Sequence, residues 1–196
     1  MIDIHSFIGL AAGILAFSAN PLYIRGILRG QTKPNRVTWW ILALASLILA
    51  ASYFASGARD TVWVPIAYFF SFTIIAILSL RYGEGDGTLT LLDKTCVLGA
   101  IISIFLWWFT GSPVVALFFE MGVELFGLIP TIAKAYRNPV TEDFAAWAIA
   151  VSASLLNVFA ITDWSYVIAT YPIYIFVTNA IVFTPLALKR LTPKGI

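Results

Sequence analysis

Apolar residues fill this chain in long runs that short polar segments interrupt, a pattern typical of helices that cross a membrane. Seven runs of roughly 18 to 25 residues can be traced, each long enough to span a hydrocarbon core of about 30 Å at about 1.5 Å per residue. They cover residues 5–28, 37–56, 61–81, 91–109, 113–136, 144–161 and 164–187. The alternation of apolar and polar residues that marks a β-barrel is not seen along the chain. The pattern therefore predicts an all-α integral membrane protein.

The composition agrees with this interpretation. Hydrophobic residues make up 60% of the chain and charged residues 11%, with a mean hydropathy of +0.90, and so few polar groups cannot cover a water-exposed surface. The connections at 57–60, 111–112 and 162–163 are too short to hold a further domain. The first run lacks a basic flank and is longer than a cleavable signal peptide, so we expect it to be retained. The net charge of +2 gives no reason to expect a nucleic-acid partner, and the expected surroundings are the lipid bilayer.

The basic residues lie at alternate connections between the runs. They are Arg25, Arg29, Lys33, Arg36, Arg81, Lys94, Lys134, Arg137, Lys189, Arg190 and Lys194. The other connections carry Asp3, Asp60 and Asp163, with Arg59 as their one base. Because Lys and Arg in short loops stay in the cytoplasm, we expect the amino terminus outside and the carboxyl terminus in the cytoplasm. The expected location is the cell membrane, which is the inner membrane in a bacterium, or an organellar membrane in a eukaryote.

Tryptophans lie at the ends of the predicted helices. Four are at outer ends and three at inner ends, namely Trp63, Trp107, Trp108 and Trp164, then Trp39, Trp40 and Trp147. Aromatic belts of this kind occupy the interface between lipid and water. We interpret these tryptophans as interfacial anchors rather than as part of a ligand site.

The chain contains an internal repeat. Residues 21–40 read PLYIRGILRGQTKPNRVTWW and residues 130–147 read PTIAKAYRNPVTEDFAAW; each copy has a proline, a base four residues later and a threonine eleven residues later. Two similar modules of three helices would point in opposite directions if joined directly, and the unmatched fourth run restores a common orientation. The sequence therefore predicts a three-helix repeat at 1–88, a linker helix at 89–110 and a second three-helix repeat at 111–196, related by a two-fold axis along the membrane normal.

The second copy closely resembles the PQ-loop motif. The matching residues are Pro130, Lys134, Tyr136, Arg137, Thr141, Glu142 and Trp147. At the position of the motif's glutamine the two copies have Leu22 and Thr131. With its 3+1+3 layout, nearly the whole chain resembles a SWEET-type (MtN3-like) membrane transporter of the PQ-loop superfamily, in a divergent, prokaryotic-looking form. Relatives of this kind include sugar uniporters, proton-coupled amino-acid and cystine exporters, vitamin-precursor carriers and a cargo receptor that does not transport.

The resemblance also implies roles for single residues. Pro21 and Pro130 would act as hinges of the inner gate, in keeping with the bend that a proline favours by removing a helical hydrogen bond. Asn179 resembles one of the two asparagines that SWEET-type carriers place against a sugar, whereas Ala76 occupies the place of the other. We expect the Asn20 side chain to satisfy the carbonyl group freed at the Pro21 bend.

Two carboxylates interrupt the fifth run, Glu120 and Glu124 in FFEMGVELFGLIP. Counted from the outer end at Pro113, they lie about 10 and 16 Å into the membrane on one face of the helix. A charge at that depth costs about 2.5 to 3.5 kcal/mol on insertion scales, so intramembrane carboxylates indicate a function. Their repulsion favours a shared proton, as a proton-coupled carrier needs; an ionised pair would instead neutralise a cationic substrate, and a protonated pair would merely hydrogen-bond neighbouring helices. The first repeat has Ala11 and Leu15 at the corresponding places.

Further polar residues within the runs are candidates for the wall of a substrate site. They are Ser46, Tyr68, Asn157, Tyr174 and Asn179. Each has an alternative structural role, an interhelical hydrogen bond that contributes about 0.6 kcal/mol to the bundle.

Together these features favour a secondary transporter that moves a small polar metabolite by alternating access, coupled to protons or selective for cations. A SWEET-like sugar uniporter and a non-transporting membrane receptor or scaffold are the alternatives. Cys96 and His5 are solitary, so neither a metal site nor a disulfide is expected. The sequence shows no nucleotide-binding loop and no nucleophile beside a base, so we expect no enzyme activity and no cofactor. The expected partners are a small polar solute and protons, and a single chain and an oligomer both fit the pattern.

Overall fold

The computed structural model describes residues 3–30, 34, 36–83, 91–139 and 142–191. In these ranges the chain forms eight α-helices and no β-strand. They are α1 (Ile4–Phe17), α2 (Asn20–Leu28), α3 (Arg36–Ala55), α4 (Trp63–Tyr82), α5 (Leu91–Thr110), α6 (Pro113–Arg137), α7 (Phe144–Phe159) and α8 (Tyr166–Leu191). Their bounds follow the seven apolar runs, with α1 and α2 together forming the first run, so the predicted all-helical class is confirmed.

Four helical stretches are long and apolar enough to cross a membrane. They are Ile4–Leu28, Trp63–Tyr82, Pro113–Arg137 and Tyr166–Leu191. The remaining apolar helices are shorter where all their residues are described, at Trp39–Ala55, Val97–Thr110 and Phe144–Phe159. Helices of the first length and apolarity are typical of membrane proteins.

Contacts between distant parts of the chain define two ends of the bundle. At one end the Arg190 guanidinium lies 3.9 Å from the centre of the Phe144 ring. Helices α2, α4, α6 and α8 end here, so we call it the basic end after Arg25, Arg81, Arg137, Lys189 and Arg190. At the other end the Asp60 carboxylate accepts hydrogen bonds from Ser6 and Thr162. We call this the acidic end after Asp3, Asp60 and Asp163.

The first run is broken where the sequence predicts a bend. Helix α1 ends at Phe17 and α2 begins at Asn20, so the break lies just before Pro21, whose nitrogen has no proton to donate. A tightened turn spans the break, in which the Ala19 backbone nitrogen donates to the Ala16 carbonyl oxygen at 3.4 Å. The local chemistry of one proline thus sets the shape of the first run.

The two repeated prolines have different backbone surroundings. Helix α6 is continuous through residue 130, so the break at Pro21 has no counterpart in the fifth run. A role for Pro21 and Pro130 as moving hinges stays a prediction. The Asn20 side chain differs from expectation, because its Nδ2 donates to Ser71 Oγ at 2.6 Å. It ties α2 to α4 rather than binding the carbonyl group at the bend.

Each helix packs against specific partners. Helix α4 packs against α1 and α3, and α8 packs against α6 and α7. Between these two groups of helices, α1 packs against α7 and α3 packs against α6. Helix α5 lies against α6 and α3. The two groups therefore meet along two seams, one between α1 and α7 and one between α3 and α6.

Small residues let α1 approach α4 closely. The buried face of α1 consists of Gly9, Ala12, Gly13 and Ala16. A Cβ atom at Gly9 would overlap the Asp60 carbonyl oxygen, and one at Gly13 would lie 2.8 Å from the Cβ of Trp63. Small residues spaced in this way allow helices in membranes to pack backbone against backbone.

Gly57 ends α3 in a left-handed backbone conformation. Its φ is 107°, a region that favours glycine because a Cβ atom would collide with the backbone. The Ala58 nitrogen donates to the Tyr53 carbonyl oxygen at 3.2 Å and the Gly57 nitrogen to that of Phe54 at 3.1 Å. This pair of bonds is a Schellman motif, which satisfies carbonyl groups at the end of a helix.

We expect Gly57→Ala to lower the free energy of unfolding by about 1 to 2 kcal/mol, because a residue with a Cβ atom pays that much in the left-handed region. The measurement is the apparent melting temperature of the purified protein in detergent. Gly122→Ala is the control, since Gly122 lies in α6 with open space around its Cβ position and alanine favours helix. A Gly57→Ala protein as stable as wild type would contradict the prediction.

Candidate functional site

A cavity of about 940 Å³ lies inside the bundle. Helices α2, α3 and α4 form one side of it and α6, α7 and α8 form the other. Cavities that take small ligands have volumes of about 300 to 1,000 Å³. The size therefore suits a small solute.

The cavity opens at the basic end. Its outermost lining residues are Arg25 and Gly26 near the end of α2, Trp39 in the first turns of α3, and Glu142 and Asp143 just before α7. The lining continues along the helices and reaches Pro65 in α4, Glu120 in α6 and Tyr171 in α8. These three residues lie part-way along their helices, so the cavity stops within the span.

Beyond the cavity, a buried layer closes the acidic end. It is formed by Tyr53, Ala58, Val62, Leu117 and Ile168, which belong to one hydrophobic cluster. The Tyr53 hydroxyl donates to the Ile168 carbonyl oxygen at 2.6 Å. It also lies 2.6 Å from Thr61 Oγ1, which donates to it because the hydroxyl has only one proton. The layer is thus both apolar and hydrogen-bonded across α3 and α8.

Asp60 joins three parts of the chain at this closed end. Ser6 Oγ in α1 donates to Asp60 Oδ1 at 2.5 Å, and Thr162 Oγ1, between α7 and α8, donates to Asp60 Oδ2 at 2.9 Å. Each carboxylate oxygen has its own donor, and hydrogen bonds to a charged acceptor are stronger than neutral ones. We call this arrangement the Asp60 bridge. It connects α1, the α3–α4 connection and the α7–α8 connection.

Glu120 lies at the deep end of the cavity and is 1% exposed. The Ser103 hydroxyl, on α5, is 2.5 Å from Glu120 Oε1 and 3.0 Å from the Ala100 carbonyl oxygen. A hydroxyl group has one proton and cannot donate to both oxygens at once. Both contacts are satisfied when Glu120 is protonated and donates to Ser103 while Ser103 donates to Ala100. The geometry therefore favours a proton on Glu120.

Glu124 lies one helical turn closer to the basic end and also lines the cavity. Its Oε2 atom is buried and has no hydrogen-bond partner among the described residues. Tyr68 and Tyr171 line the same part of the cavity. A buried carboxylate oxygen without a donor is costly, so this atom is suited to receive a donor from a ligand.

Asn179 connects the two sides of the cavity. Its Nδ2 lies 3.4 Å from the Tyr68 hydroxyl in α4, 3.3 Å from the Ala150 carbonyl oxygen and 3.3 Å from Ser154 Oγ in α7. The amide donates across the space between the two groups of helices. A ligand in the cavity would meet Asn179 and Tyr68 together.

Four aromatic rings form a continuous wall along the cavity. Ring centres of Tyr23 and Trp39 are 5.3 Å apart, those of Trp39 and Phe72 are 5.6 Å apart, and those of Phe72 and Tyr68 are 5.9 Å apart. All four residues line the cavity. We call them the aromatic wall, which extends from the mouth to the depth of Asn179.

Two tryptophans therefore differ from the sequence-based interpretation. Trp39 and Trp147 line the cavity, and Trp147 Nε1 donates to Glu142 Oε2 at 3.1 Å. Trp108 and Trp164, by contrast, are exposed at the acidic end, as expected of interfacial anchors. The position near a membrane interface was a poor guide to which way a tryptophan faces.

The structure brings together five of the seven predicted substrate residues. Ser46, Tyr68, Glu120, Glu124 and Asn179 line the cavity.

Two of the predicted substrate residues lie outside the cavity lining. The Tyr174 hydroxyl donates to the Met121 carbonyl oxygen at 3.0 Å, which ties α8 to α6. Asn157 is fully buried in α7, and neither of its side-chain polar atoms has a partner in the described part of the chain. The two residues thus lie behind the cavity wall in this conformation.

Sequence reasoning missed four residues of the site. Tyr23, Phe72, Tyr171 and Ser103 carry no sequence signal of their own, because each is an ordinary residue of an apolar helix. Tyr171 alone had a hint, since it occupies the place in the second repeat that Tyr68 occupies in the first. The contact between Ser103 and Glu120 joins α5 to α6, and a linear sequence does not show which faces of these helices meet.

No protein-family model, curated protein or solved structure matches this chain. Within the described ranges, no group of three or more His, Cys, Asp or Glu residues is placed to hold a metal ion. The functional argument therefore rests on the cavity, its side chains and the repeated sequence.

Proposed function

We propose that this protein is a secondary transporter of the PQ-loop, SWEET-like type, which moves a small polar solute across the cell membrane by alternating access. The single observation that carries the proposal is the cavity, open at the basic end and closed at the acidic end by a buried, hydrogen-bonded layer. Alternating access needs a central site that reaches one side of the membrane at a time. A carrier rather than an enzyme accounts for a large polar cavity in an otherwise apolar bundle.

The packing of the helices supports a 3+1+3 arrangement. Exchanging α1 with α6, α3 with α7 and α4 with α8 converts each contact within the first group into a contact within the second. The same exchange converts the α1–α7 seam into the α6–α3 seam. Helix α5 takes no part in this exchange. Such a pattern is expected of two parallel repeats related by a two-fold axis along the membrane normal, with α5 as the linker.

The orientation follows from the charges. The basic end carries most of the bases and the acidic end carries Asp3, Asp60 and Asp163, so the positive-inside rule places the basic end in the cytoplasm. The conformation is then the inward-open state. In the outward-open state the Asp60 bridge and the buried layer would separate, and the mouth at the basic end would close.

The carboxylates in the cavity support a cationic or proton-linked solute over a neutral sugar. Glu120 and Glu124 both line the cavity, and the geometry around Ser103 favours a proton on Glu120. Asn179 supports a sugar site, but Ala76, at the place of the second asparagine, is buried away from the cavity. A sugar uniporter is therefore the second candidate.

Paired cysteine substitutions test the carrier against a static receptor. In a Cys96→Ser background, Ser46→Cys places a thiol in the cavity and Val62→Cys places one in the layer that closes the acidic end. We expect Ser46→Cys to react with a small membrane-impermeant thiol reagent added at the basic side. We expect Val62→Cys to react slowly from the acidic side, because a carrier visits the outward-open state.

Asp60→Ala provides the matched perturbation. It removes the acceptor for Ser6 and Thr162, so we expect the Val62→Cys thiol to react about fivefold faster or more, as for a coupling of about 1 kcal/mol or more. Asp163→Ala, also at the acidic end, should leave the rate unchanged. A Val62→Cys thiol that stays unreactive in every background would favour a receptor or scaffold that does not alternate.

A further inference from the structure

The lining of the cavity divides into an aromatic and an acidic part. The aromatic wall belongs to α2, α3 and α4, whereas the carboxyl groups belong to α6 and the residues just before α7. The carboxyl groups are Glu120, Glu124, Glu142 and Asp143. Arg25 at the mouth is the one base among the described lining residues. With a proton on Glu120, three carboxylates still face one guanidinium, so the cavity as a whole attracts cations.

The two carboxylates at the mouth have partners within the protein. Asp143 Oδ1 accepts a hydrogen bond from the Ala146 nitrogen at 3.0 Å and caps α7. Glu142 accepts from Trp147 and lies with Lys189 and Arg190 around a smaller cavity. These carboxylates contribute to the charge at the entrance, but they are already engaged in holding the start of α7.

Glu124 differs from the mouth carboxylates. It lies deep in the cavity, and its buried Oε2 lacks a donor in the part of the chain that the structure describes. An ionised carboxylate only accepts hydrogen bonds, so a ligand must bring a donor with a positive charge to satisfy it. A primary ammonium group has three N–H donors, whereas a quaternary ammonium group has none.

The aromatic wall indicates what is attached to the ammonium group. Rings attract a cation over their faces and bury a flat apolar body by stacking. The Tyr68 ring lies parallel to that of Phe72, with an interplanar angle of 10°, and Trp39 and Tyr23 continue the surface towards the mouth. A ligand with its charged head at Glu124 would lay its body along these rings.

We propose that the cavity binds a primary organic ammonium ion with an apolar, ring-sized body, its ammonium group at Glu124 and its body against the aromatic wall. This inference rests on the proposed function, because it takes the transport cavity as the binding site. A neutral sugar would also donate hydrogen bonds to Glu124, but it would leave the negative charge of the cavity uncompensated.

Three probes with one body and different heads test the proposal. They are 2-phenylethylamine, 2-phenylethanol and the N,N,N-trimethyl derivative of the amine, titrated calorimetrically into the purified full chain in detergent. We expect the amine to bind about tenfold or more tightly than the alcohol, because it pairs with a buried carboxylate. It should also exceed the trimethyl derivative, which has the charge without the N–H donors.

Substitutions assign the preference to the predicted groups. Glu124→Gln should remove the preference for the amine over the alcohol, and Glu124→Asp, which keeps the charge, should retain part of it. Trp39→Leu should weaken amine binding about threefold to thirtyfold, while Asp163→Asn should change nothing. The melting temperature of each protein without ligand shows that it is folded.

Several outcomes would overturn the inference. They are an alcohol that binds as tightly as the amine, a trimethyl derivative that binds as tightly as the amine, and an amine preference that survives in Glu124→Gln. Amine binding without flux in proteoliposomes would support this inference and count against the transporter. Flux of a neutral solute without amine binding would do the reverse.

Discussion

Proteoliposomes containing Glu120→Gln or Glu124→Gln should show about tenfold or lower gradient-driven solute uptake than wild type, within the range of coupling free energies between two binding sites. Glutamine keeps the shape of each side chain but neither releases a proton nor carries a negative charge. In Glu120→Gln the amide can still bond to Ser103, so the fold should persist while the exchangeable proton is lost. In Glu124→Gln the cavity loses its deep negative charge.

The measurement is uptake, with and without a pH gradient, of a solute that a thermal-shift screen identifies as a ligand, since a ligand of the native state raises apparent stability. The matched control is Asp163→Asn, the same change of carboxylate to amide at the acidic end, where Asp163 accepts from the Ser165 nitrogen at 2.8 Å. Unchanged uptake in both glutamine variants would rule out a role for this pair in coupling.

The second large effect is expected at the small face of α1. Gly9→Leu and Gly13→Leu should each lower the apparent melting temperature by roughly 5 to 10 °C, from an overpacking cost of about 1 to 3 kcal/mol and the usual relation between the two quantities. The reason is contact with backbone, since the new side chain at Gly9 meets the Asp60 carbonyl group and the one at Gly13 meets Trp63. Neither neighbour can move without shifting α4 or its connection to α3.

Gly122→Leu is the control for both variants, because Gly122 is a helical glycine with open space at its Cβ position. It should melt within about 1 to 2 °C of wild type, as surface substitutions usually do. Equal losses in all three variants would mean that the cost arises from changing a helical glycine rather than from the close approach of α1 to α4.

Much of the fold could be predicted from the sequence because the hydrophobic effect acts on runs of residues. A run of apolar residues is a local property, and the seven runs agree with the helices to within a few residues at each end. The break before Pro21 was also predictable, since it depends on one residue and its missing proton. The depth of Glu120 and Glu124 followed from counting residues along one helix.

The rest of the site depends on how helices are rotated about their own axes, which runs of apolar residues do not determine. Trp39 and Trp40 are neighbours in the sequence, yet Trp39 lines the cavity and Trp40 is 44% exposed. Asn157 and Asn179 are both polar residues within apolar helices, and only Asn179 faces the cavity. The moment of an almost uniformly apolar helix is too weak to distinguish such cases.

Closure at the acidic end was also hidden, for a different reason. The Asp60 bridge joins residues 54 and 102 positions apart in the chain, and Asp60 alone looks like an ordinary loop residue. The sequence indicated only which side of the membrane Asp60 faces. Its role in holding three connections together required the packing of α1, α4 and α7.

The unequal first and fifth runs have a mechanical consequence. A helix deforms most readily where its ladder of hydrogen bonds is interrupted, and α1 and α2 meet at such an interruption, whereas α6 continues unbroken from Pro113 to Arg137. The first run is therefore compliant, and the part that follows its joint can tilt while the part before it stays seated on α4. Helix α6 acts instead as a stiff lever, so that any displacement at its tip is transmitted to Glu124 and Glu120. Opening and closing of the mouth is then an asymmetric stroke, in which one half bends and the other half carries the load to the carboxyl groups.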